Sequence, residues 1–455
     1  MSAISGVNLS SLLSALGSSS SGINVASAVA QAMAALSLPE QQMEAEQVTL
    51  QSQTSGIDQI QADVDALQTS LNGLGDPAGA LASMTATSSD TAVVDASAAA
   101  GTAAGSHVVI VANIASSASA YSTVSVATGD TNLTPGSFAL TVGSGTPTTI
   151  TIGSGVNTLN ELAGSINTQQ LGVTASVVND SSGSRLAIVS NTTGTADGFT
   201  IGAATGMAFT QTSAGEDASL TVDGIPIDSA SNTVTGAIAG LTLNLVGASP
   251  GGQINVTVAP DSNAVSQAIG SFVTAYNTAI GDVNTQYTLS GTNQEGPLSG
   301  DSTVRMLQSS LLAAGSYSSG GNGVSTLADL GITMNNDGTL SLDSTTLISA
   351  IQNNFGAVQT FMQGTTSNGF VSSLNNQLNT LTAPTSGAFS VDLQSIASEN
   401  TDLQNQINDF QTYLNAQQAL LTAQYNAADI TLQQLPEEQA QINGELGNAP
   451  TTTPA

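Results

Sequence analysis

Lysine is missing altogether. The only cations are Arg185 and Arg305, set against 32 carboxylates, for a formal net charge of −30. That balance excludes nucleic-acid binding, which needs clustered Lys and Arg to displace counterions from phosphates. It equally disfavours anionic lipid surfaces. Only 7% of residues are charged, so the exterior must be mostly Ser, Thr, Asn, Gln and Gly. Such a surface suits extracellular fibrous or adhesive proteins better than cytosolic enzymes. An acidic exterior, where carboxylates are partly protonated, is one reading of the missing lysine.

Cysteine is also absent, which removes disulfides, thiolate nucleophiles and cysteine metal sites. No apolar run approaches the roughly 18 residues a membrane span requires, so no membrane insertion is expected. The start, "MSAISGVNLSSLLSALG", lacks the basic region of a secretory signal. Export, if it occurs, is expected to proceed without a cleaved signal peptide.

Reactive groups are equally sparse. "GASPG" (Gly247 to Gly251) matches G-x-S-x-G, but Pro250 follows the serine and no helix begins there. The single histidine, His107, lies upstream in a strand. "NNDGTLSLD" lacks the alternating oxygens and terminal Glu of a calcium loop, and a hairpin turn accounts for Asp337-Gly338. Glu216-Asp217 and Glu437-Glu438 are sequence neighbours that read as solvated surface. No catalytic, metal-binding or cofactor-binding residue is expected, and the chain is read as a non-enzyme.

What the sequence does contain is periodicity. Leu36, Met43, Leu50, Ile57, Val64 and Leu71 fall seven apart, with Ile60, Leu67 and Leu74 three residues behind. This is the seam of a helix that lies against another helix. Pro39 separates a short helix (about Val25 to Leu36) from the long one, and Gly73, Gly75 and Pro77 end it. Near the other terminus Leu393, Asn400, Ile407, Leu414 and Leu421 repeat at seven, followed by Ile396, Leu403 and Phe410. Pro436 is expected to stop or kink that helix, and "NAPTTTPA" reads as a disordered tail. Polar seam positions such as Gln53, Asn400 and Gln417 suit ends that order only when packed. The stripes serve either an intramolecular bundle or a partner chain.

Between about Ser83 and Pro260 the period falls to two. "SHVVIVANIA", "SFALTVGSG", "TPTTITIGSG", "LGVTASVVND", "SRLAIVSN" and "ASLTVDGIPID" read as strands, and "TLNELAGSIN" as one short helix. "GIPIDSASNTVTGAIAGLTLNL" reads as a hairpin-like element from Ile225 to Leu245, with Asn232 holding local backbone bonds at its turn. Beyond Pro260 a helix places Val265, Ile269, Phe272, Tyr276 and Ile280 on one face; a short hairpin and a helix around Leu347 to Met362 follow. The helix–β–helix order requires the terminal segments to return and pair. The fold class is α+β multidomain: a helical coiled-coil stalk from paired N- and C-terminal segments, with inserted antiparallel β-rich head domains.

Eight segments in order resemble the flagellar hook-associated protein 2 family, the filament cap proteins. They run from "SGINVASAVAQAMAALSLPEQQM" through "LNGLGDPAGALAS", the flagellin-type repeat between Pro135 and Ile201, and "TVDGIPIDSASNTVTGAIAGLTLNL". "FVTAYNTAIGDVN", "GPLSGDSTVRMLQSSL", "LADLGITMNNDGTLSLDSTTL" and "YLNAQQALLTAQYNAADITLQQL" complete the series. Ile23 and Asn24 stand where the family has Leu and Asp. Ser37 and Leu38 replace its charged residues around the proline.

The resemblance implies a structural cap at the distal end of the bacterial flagellar filament, extracellular and exported through the flagellar apparatus. It would be a homo-oligomer that promotes flagellin polymerisation, prevents subunit loss and is required for motility. Its partners would be further copies of itself, flagellin, hook–filament junction proteins and an export chaperone on the C-terminal helix. Leu421, Tyr425, Leu432 and Leu435 are the chaperone-binding candidates. Oligomer and stalk packing is assigned to Leu50, Ile57, Ile60, Val64, Leu67, Leu71, Leu403, Ile407, Phe410 and Leu414. Of these, Ile57, Ile60, Val64 and Leu67 are expected to hold stalk to stalk. The expected division is residues 1–56 with 390–455 as terminal coil and 57–82 with 261–389 as helical stalk. Residues 83–126 with 216–260 would form the head, and 127–215 the tip. A junction protein or flagellin-like filament component would lack "NTVTGAIAGLTLNL", and an adhesin would carry a basic signal peptide.

Overall fold

The computed structural model describes residues 24–287, 296–320, 323–365 and 368–447. The tail from 448 and the start up to 23 lie outside them. Helix α1 (Val25–Leu36) begins where the Asn24 side chain accepts the Ser27 N–H at 3.1 Å. One residue, Ser37, separates it from α2 (Leu38–Gly75), which carries Pro39 in its first turn. Proline is tolerated there because first-turn N–H groups have no helical partner.

The chain then enters its β region. Strands β1 (Met84–Ser88), β2 (Val94–Ala98) and β3 (Gly105–Asn113) precede a crossing into an outer domain. That domain holds β4 (Ser116–Ser122), β5 (Gly136–Val142), β6 (Thr148–Ile152), α3 (Leu159–Thr168), β7 (Val173–Asp180), β8 (Gly183–Ser190), β9 (Phe199–Thr205) and β10 (Phe209–Glu216). A reciprocal capping box starts α3: Glu161 N–H donates to Thr158 Oγ1, and Glu161 Oε2 accepts the Thr158 N–H, both at 3.2 Å. The sheets run β10-β4-β8-β7 and β6-β5-β9, all antiparallel. They share one core with α3, centred on Phe138, Leu140, Leu162, Ile166, Leu186 and Ile188. β4 belongs to this outer domain, so the chain crosses at Ala115–Ser116 and returns at Glu216–Asp217, earlier than the expected boundary at 126.

The inner β domain adds β11 (Ala218–Val222), β12 (Ile225–Ser229), β13 (Thr233–Ile238), β14 (Leu241–Leu245) and β15 (Ile254–Pro260). Its two sheets, β1-β15-β3-β11-β12 and β13-β14-β2, face each other across Val109, Val111, Leu220, Leu241, Leu243 and Val256. The segment from Ile225 to Leu245 is therefore not one hairpin. β12 pairs with β11 in the first sheet and β13 with β14 in the second, and Ala230 to Asn232 carry the chain between them. Alternation alone gives no sign of such a switch, because each strand keeps its own inward face.

Among the described residues seven α-helices make the stem and leg: α1 and α2 with α4 (Ser262–Tyr287), α5 (Ser302–Gly315), α6 (Ser344–Gln363), α7 (Phe370–Thr382) and α8 (Ala388–Gly447). Between α5 and α6 the hairpin β16 (Ile332–Met334) and β17 (Leu340–Leu342) turns at Gly338, whose φ is +84°. The stem core joins the buried stripe of α2 to Phe272, Tyr276, Ile280, Leu307, Ile351, Phe361 and Phe370. Phe272 meets Phe370 edge-on at 5.5 Å between ring centroids. Aspartates open the helices: Asp301 Oδ1 accepts Thr303 and Val304 N–H at 2.7 and 3.0 Å, and Asp343 Oδ1 accepts Thr345 N–H at 3.0 Å. Pro436 does not end α8, which continues to Gly447. The helix is solvent-exposed there, so water can satisfy the Leu432 carbonyl that loses its N–H partner.

Candidate assembly surfaces

Beyond the stem, α2 and α8 run antiparallel as a two-helix leg with α1 laid against α8. Leu50, Ile407 and Leu414 are buried in this seam, while Leu403 and Phe410 are half-buried. Its specific contacts are amides: Gln47 Nε2 donates to Asn400 Oδ1 at 3.1 Å and to Gln404 Oε1 at 2.8 Å. The ladder continues upward, with Gln68 Nε2 on Asn379 Oδ1 at 2.8 Å and Asn375 Nδ2 on Asn72 Oδ1 at 2.9 Å. Gln47 and Asn400, polar at the seam, thus bond each other across it. Neutral amide pairs carry no net charge, so salt has little to screen. Gln47→Ala should cost about 0.5–1.5 kcal/mol. Thermal melts at low and high salt should show the same loss, and a loss confined to low salt would contradict the amide account.

Ile57, Ile60, Val64, Leu67 and Leu71 are each 0% exposed, and every one belongs to the chain's own stem core. The expectation that Ile57, Ile60, Val64 and Leu67 hold one stalk to another therefore fails on access, since no second copy can reach them without opening the stem. The sequence could not separate the two roles, because a helix facing its own bundle and a helix facing a partner show the same stripe. The outward positions on the leg are others: Leu38, Val48, Val391, Tyr413 and Leu420. Farther along α8, Leu421 and Tyr425 are half-buried, whereas Leu432 and Leu435 are exposed, as are Ile430 and Ile442.

The joint between the two β domains was not legible in the sequence. Asn232 Oδ1 accepts the Ala115 N–H at 2.7 Å and its Nδ2 donates to the Ala115 carbonyl at 2.9 Å. One side chain so occupies both polar groups of the residue where the chain crosses outward. The bonds are long-range, not the local ones expected of a turn asparagine. On the return crossing, Asp217 Oδ1 accepts the Thr195 N–H at 2.7 Å, and Asn113 Nδ2 donates to the Asp217 carbonyl at 2.7 Å. Thr193 Oγ1 donates to the Ala230 carbonyl at 2.6 Å. Gly194 sits between them at φ +104°, and a Cβ there would lie 2.8 Å from Ala230 Cβ, so the close approach requires glycine.

The outer domain's four-stranded sheet leaves Tyr121, Val178 and Val189 open on the face away from its core. Arg185 crosses that face. Its Nε bonds Asp180 Oδ2 at 2.8 Å, its Nη1 bonds the Ser122 and Thr123 carbonyls, and its guanidinium stands 5.8 Å from the Tyr121 ring centroid. The Arg185 bond, and then the Ser182 N–H, hold Asp180 below the usual carboxylate range. His107 Nδ1 engages Asp223 Oδ2 at 2.7 Å, and that bond, with the Val108 N–H, lowers Asp223. Ser249 of the G-x-S-x-G string lies in the loop between β14 and β15, its N–H bonded to the Val111 carbonyl. Asp337 accepts the Thr339 N–H and hydroxyl within its hairpin. Among the described residues there is no cluster of three metal-ligating side chains, and no helix is long and apolar enough to cross a membrane.

Leg, stem and two serial β domains, with amide contacts in the leg seam and at the crossing between the β domains, define a multidomain structural assembly protein. Comparison with known proteins agrees. The models for the flagellar hook-associated protein 2 N-terminus and C-terminus match residues 21–118 and 215–437, in that order, and the flagellin hook IN motif matches residues 137–192. The chain is 27% identical to the B-type flagellar hook-associated protein 2 of Pseudomonas aeruginosa, covering 88% of this chain and 91% of that one. It is also 27% identical to the A-type protein from that species, over 94% and 96% of the two chains. A crystal structure of the D1-D2-D3 domains of the flagellar cap protein from Escherichia coli superposes with a TM-score of 0.57 at 26% identity, covering 75% of this chain and 99% of that one. The chain belongs to the flagellar hook-associated protein 2 family, and its function is that of a structural cap of the flagellar filament.

Proposed function

We propose that this cap is a homo-oligomer seated on the flagellin filament, outside the cell, with its leg reaching toward filament or hook-junction subunits and its β domains forming the outer plate. The observation that carries the reading is the leg itself. It is a two-helix seam closed by neutral amides, with Leu38, Val48, Tyr413 and Leu420 facing outward and few charges to fix a single partner geometry. A cap must shift as each subunit enters beneath it, and weak, uncharged contacts exchange at lower cost than desolvated ion pairs. The exposed end of α8, with Leu432 and Leu435 outward and Leu421 and Tyr425 beside them, suits a helical export chaperone before assembly.

Deletion tests the function. A strain lacking the gene should shed unpolymerised flagellin into the medium and lose motility, and the full chain supplied in trans should restore both. Normal-length filaments in the deletion strain would overturn the assignment. For the chaperone surface, Leu432→Asp with Leu435→Asp should lower the exported amount without altering the folded stem.

A further inference from the structure

One face of the stem exposes apolar side chains and a cation together. Helix α5 carries no carboxylate, in a chain that has 32. Thr303, Val304, Leu307, Leu311 and Ala314 turn inward, which leaves Arg305, Met306, Ser309, Leu312 and Ala313 on the outward arc. Met306 is 52% exposed and Leu312 41%. The β16–β17 hairpin continues this surface. Met334, 37% exposed, lies directly over Gly315, and Leu312 Cδ2 would stand 2.9 Å from a Cβ at Gly338. Arg305 Nη2 makes a long bond of 3.5 Å to the Gly300 carbonyl. Among the described residues no carboxylate pairs with Arg305, whereas Arg185 is held by Asp180. The nearby acids are turned elsewhere: Asp301 caps the Thr303 and Val304 N–H groups, and Asp337 bonds Thr339 within the hairpin.

We infer that the outward face of α5, with the hairpin beside it, docks head-to-tail on an acidic surface of a second copy of this chain. The inference rests on the homo-oligomeric reading above and names one of its contacts. Methionine and arginine are enriched where proteins meet, and carboxylates are depleted there, which is the composition of this face. Charge selects the occupant. Two copies at −30 each repel over most of their surfaces, and an acid-free face with a carboxylate-free cation is where approach becomes attractive. Charge also fixes the geometry. Two α5 faces laid on one another would set Arg305 against a surface without acid, so a symmetric pairing of like faces leaves both cations unmatched. The contact is therefore heterologous, and repeated from copy to copy such a contact closes into a ring.

Sedimentation velocity on the full chain over a concentration series tests the contact. Arg305→Glu and the charge-neutral Met306→Ser should each weaken self-association about tenfold or more while the thermal melt stays that of the wild type. The chain has no native cysteine, so Ser309→Cys places a single thiol at the centre of the face. That thiol should be shielded from a maleimide in the oligomer, reactive in the monomer, and form no disulfide-linked dimers on oxidation. Wild-type association by both Arg305→Glu and Met306→Ser would overturn this contact and leave the homo-oligomer standing. A wild-type chain that stays monomeric throughout would overturn the homo-oligomer itself. Variants that self-associate normally but lose binding to added flagellin filaments would give the face to flagellin instead. Disulfide dimers of Ser309→Cys would overturn the head-to-tail arrangement.

Discussion

Val64→Asp should unfold the helical stem instead of merely separating copies of the chain. Val64 is 0% exposed and lies in the core shared by α2, α4 and α7. A carboxylate there has no cation to meet, and Asp63, its neighbour in sequence, already crowds the site with acid. The burden is on the order of 4–5 kcal/mol, a large part of the roughly 5–15 kcal/mol that holds a domain folded. Far-UV circular dichroism should lose most of its helical signal, and limited proteolysis should cut within α2 and α4. The β domains keep separate cores and should survive as a protected fragment. Val48→Asp is the matched control, since Val48 is 60% exposed on the same helix and its replacement should leave the melt within about 0.5 kcal/mol. A Val64→Asp chain with wild-type helicity and only a lower oligomeric mass would restore these positions to an interface between copies.

That experiment also marks where sequence and structure part. The stem was legible because its helices obey a period that repeats over many turns. Val265, Ile269, Phe272, Tyr276 and Ile280 emerge from α4 as one buried face. The break at Ser37 follows from Pro39 two residues on, since a proline has no N–H to give a preceding turn and belongs in a first turn. Long-range polar pairing leaves no such trace. Asn232 with Ala115, Asn167 with Ala175 and Asn277 with Leu340 all use one geometry, in which a side-chain amide bonds the N–H and the carbonyl of a single distant residue. Each imitates a strand neighbour for one peptide. Nothing in the local pattern distinguishes these asparagines from the solvent-facing ones around them.

The same device accounts for how a chain with two arginines and no lysine fixes its domains without ion pairs. The amide is neutral, donates and accepts together, and satisfies a backbone pair that would otherwise be buried unpaired. Gln53 and Asn400, which look like weaknesses in a heptad, make simpler neutral bonds across the packing. Gln53 Nε2 donates to the Pro297 carbonyl at 3.1 Å, and Asn400 receives Gln47. Asp63 is the exception, a carboxyl in a core position that is held by Gln59 of its own helix.

Asn232→Ala should release the outer β domain from the inner one while both remain folded. The variant strands the N–H and the carbonyl of Ala115, which is 3% exposed, at about 1–3 kcal/mol for each unsatisfied group. The cost falls on the joint, because neither β core contains Asn232. A chain without native cysteine allows the effect to be read directly. Val178→Cys in the outer domain and Ile225→Cys in the inner one, both exposed, accept spin labels with no background thiol. Pulsed dipolar spectroscopy should give one narrow distance distribution in the labelled parent and a broad one after Asn232→Ala. Asp217→Ala, which frees Thr195 on the return crossing, should broaden it as well, and the double variant should exceed either alone. Distributions that stay narrow in all three would mean that Thr193, Gly194 and the close backbone contact at Ala230 set the angle by shape, and that the amide clamp is dispensable.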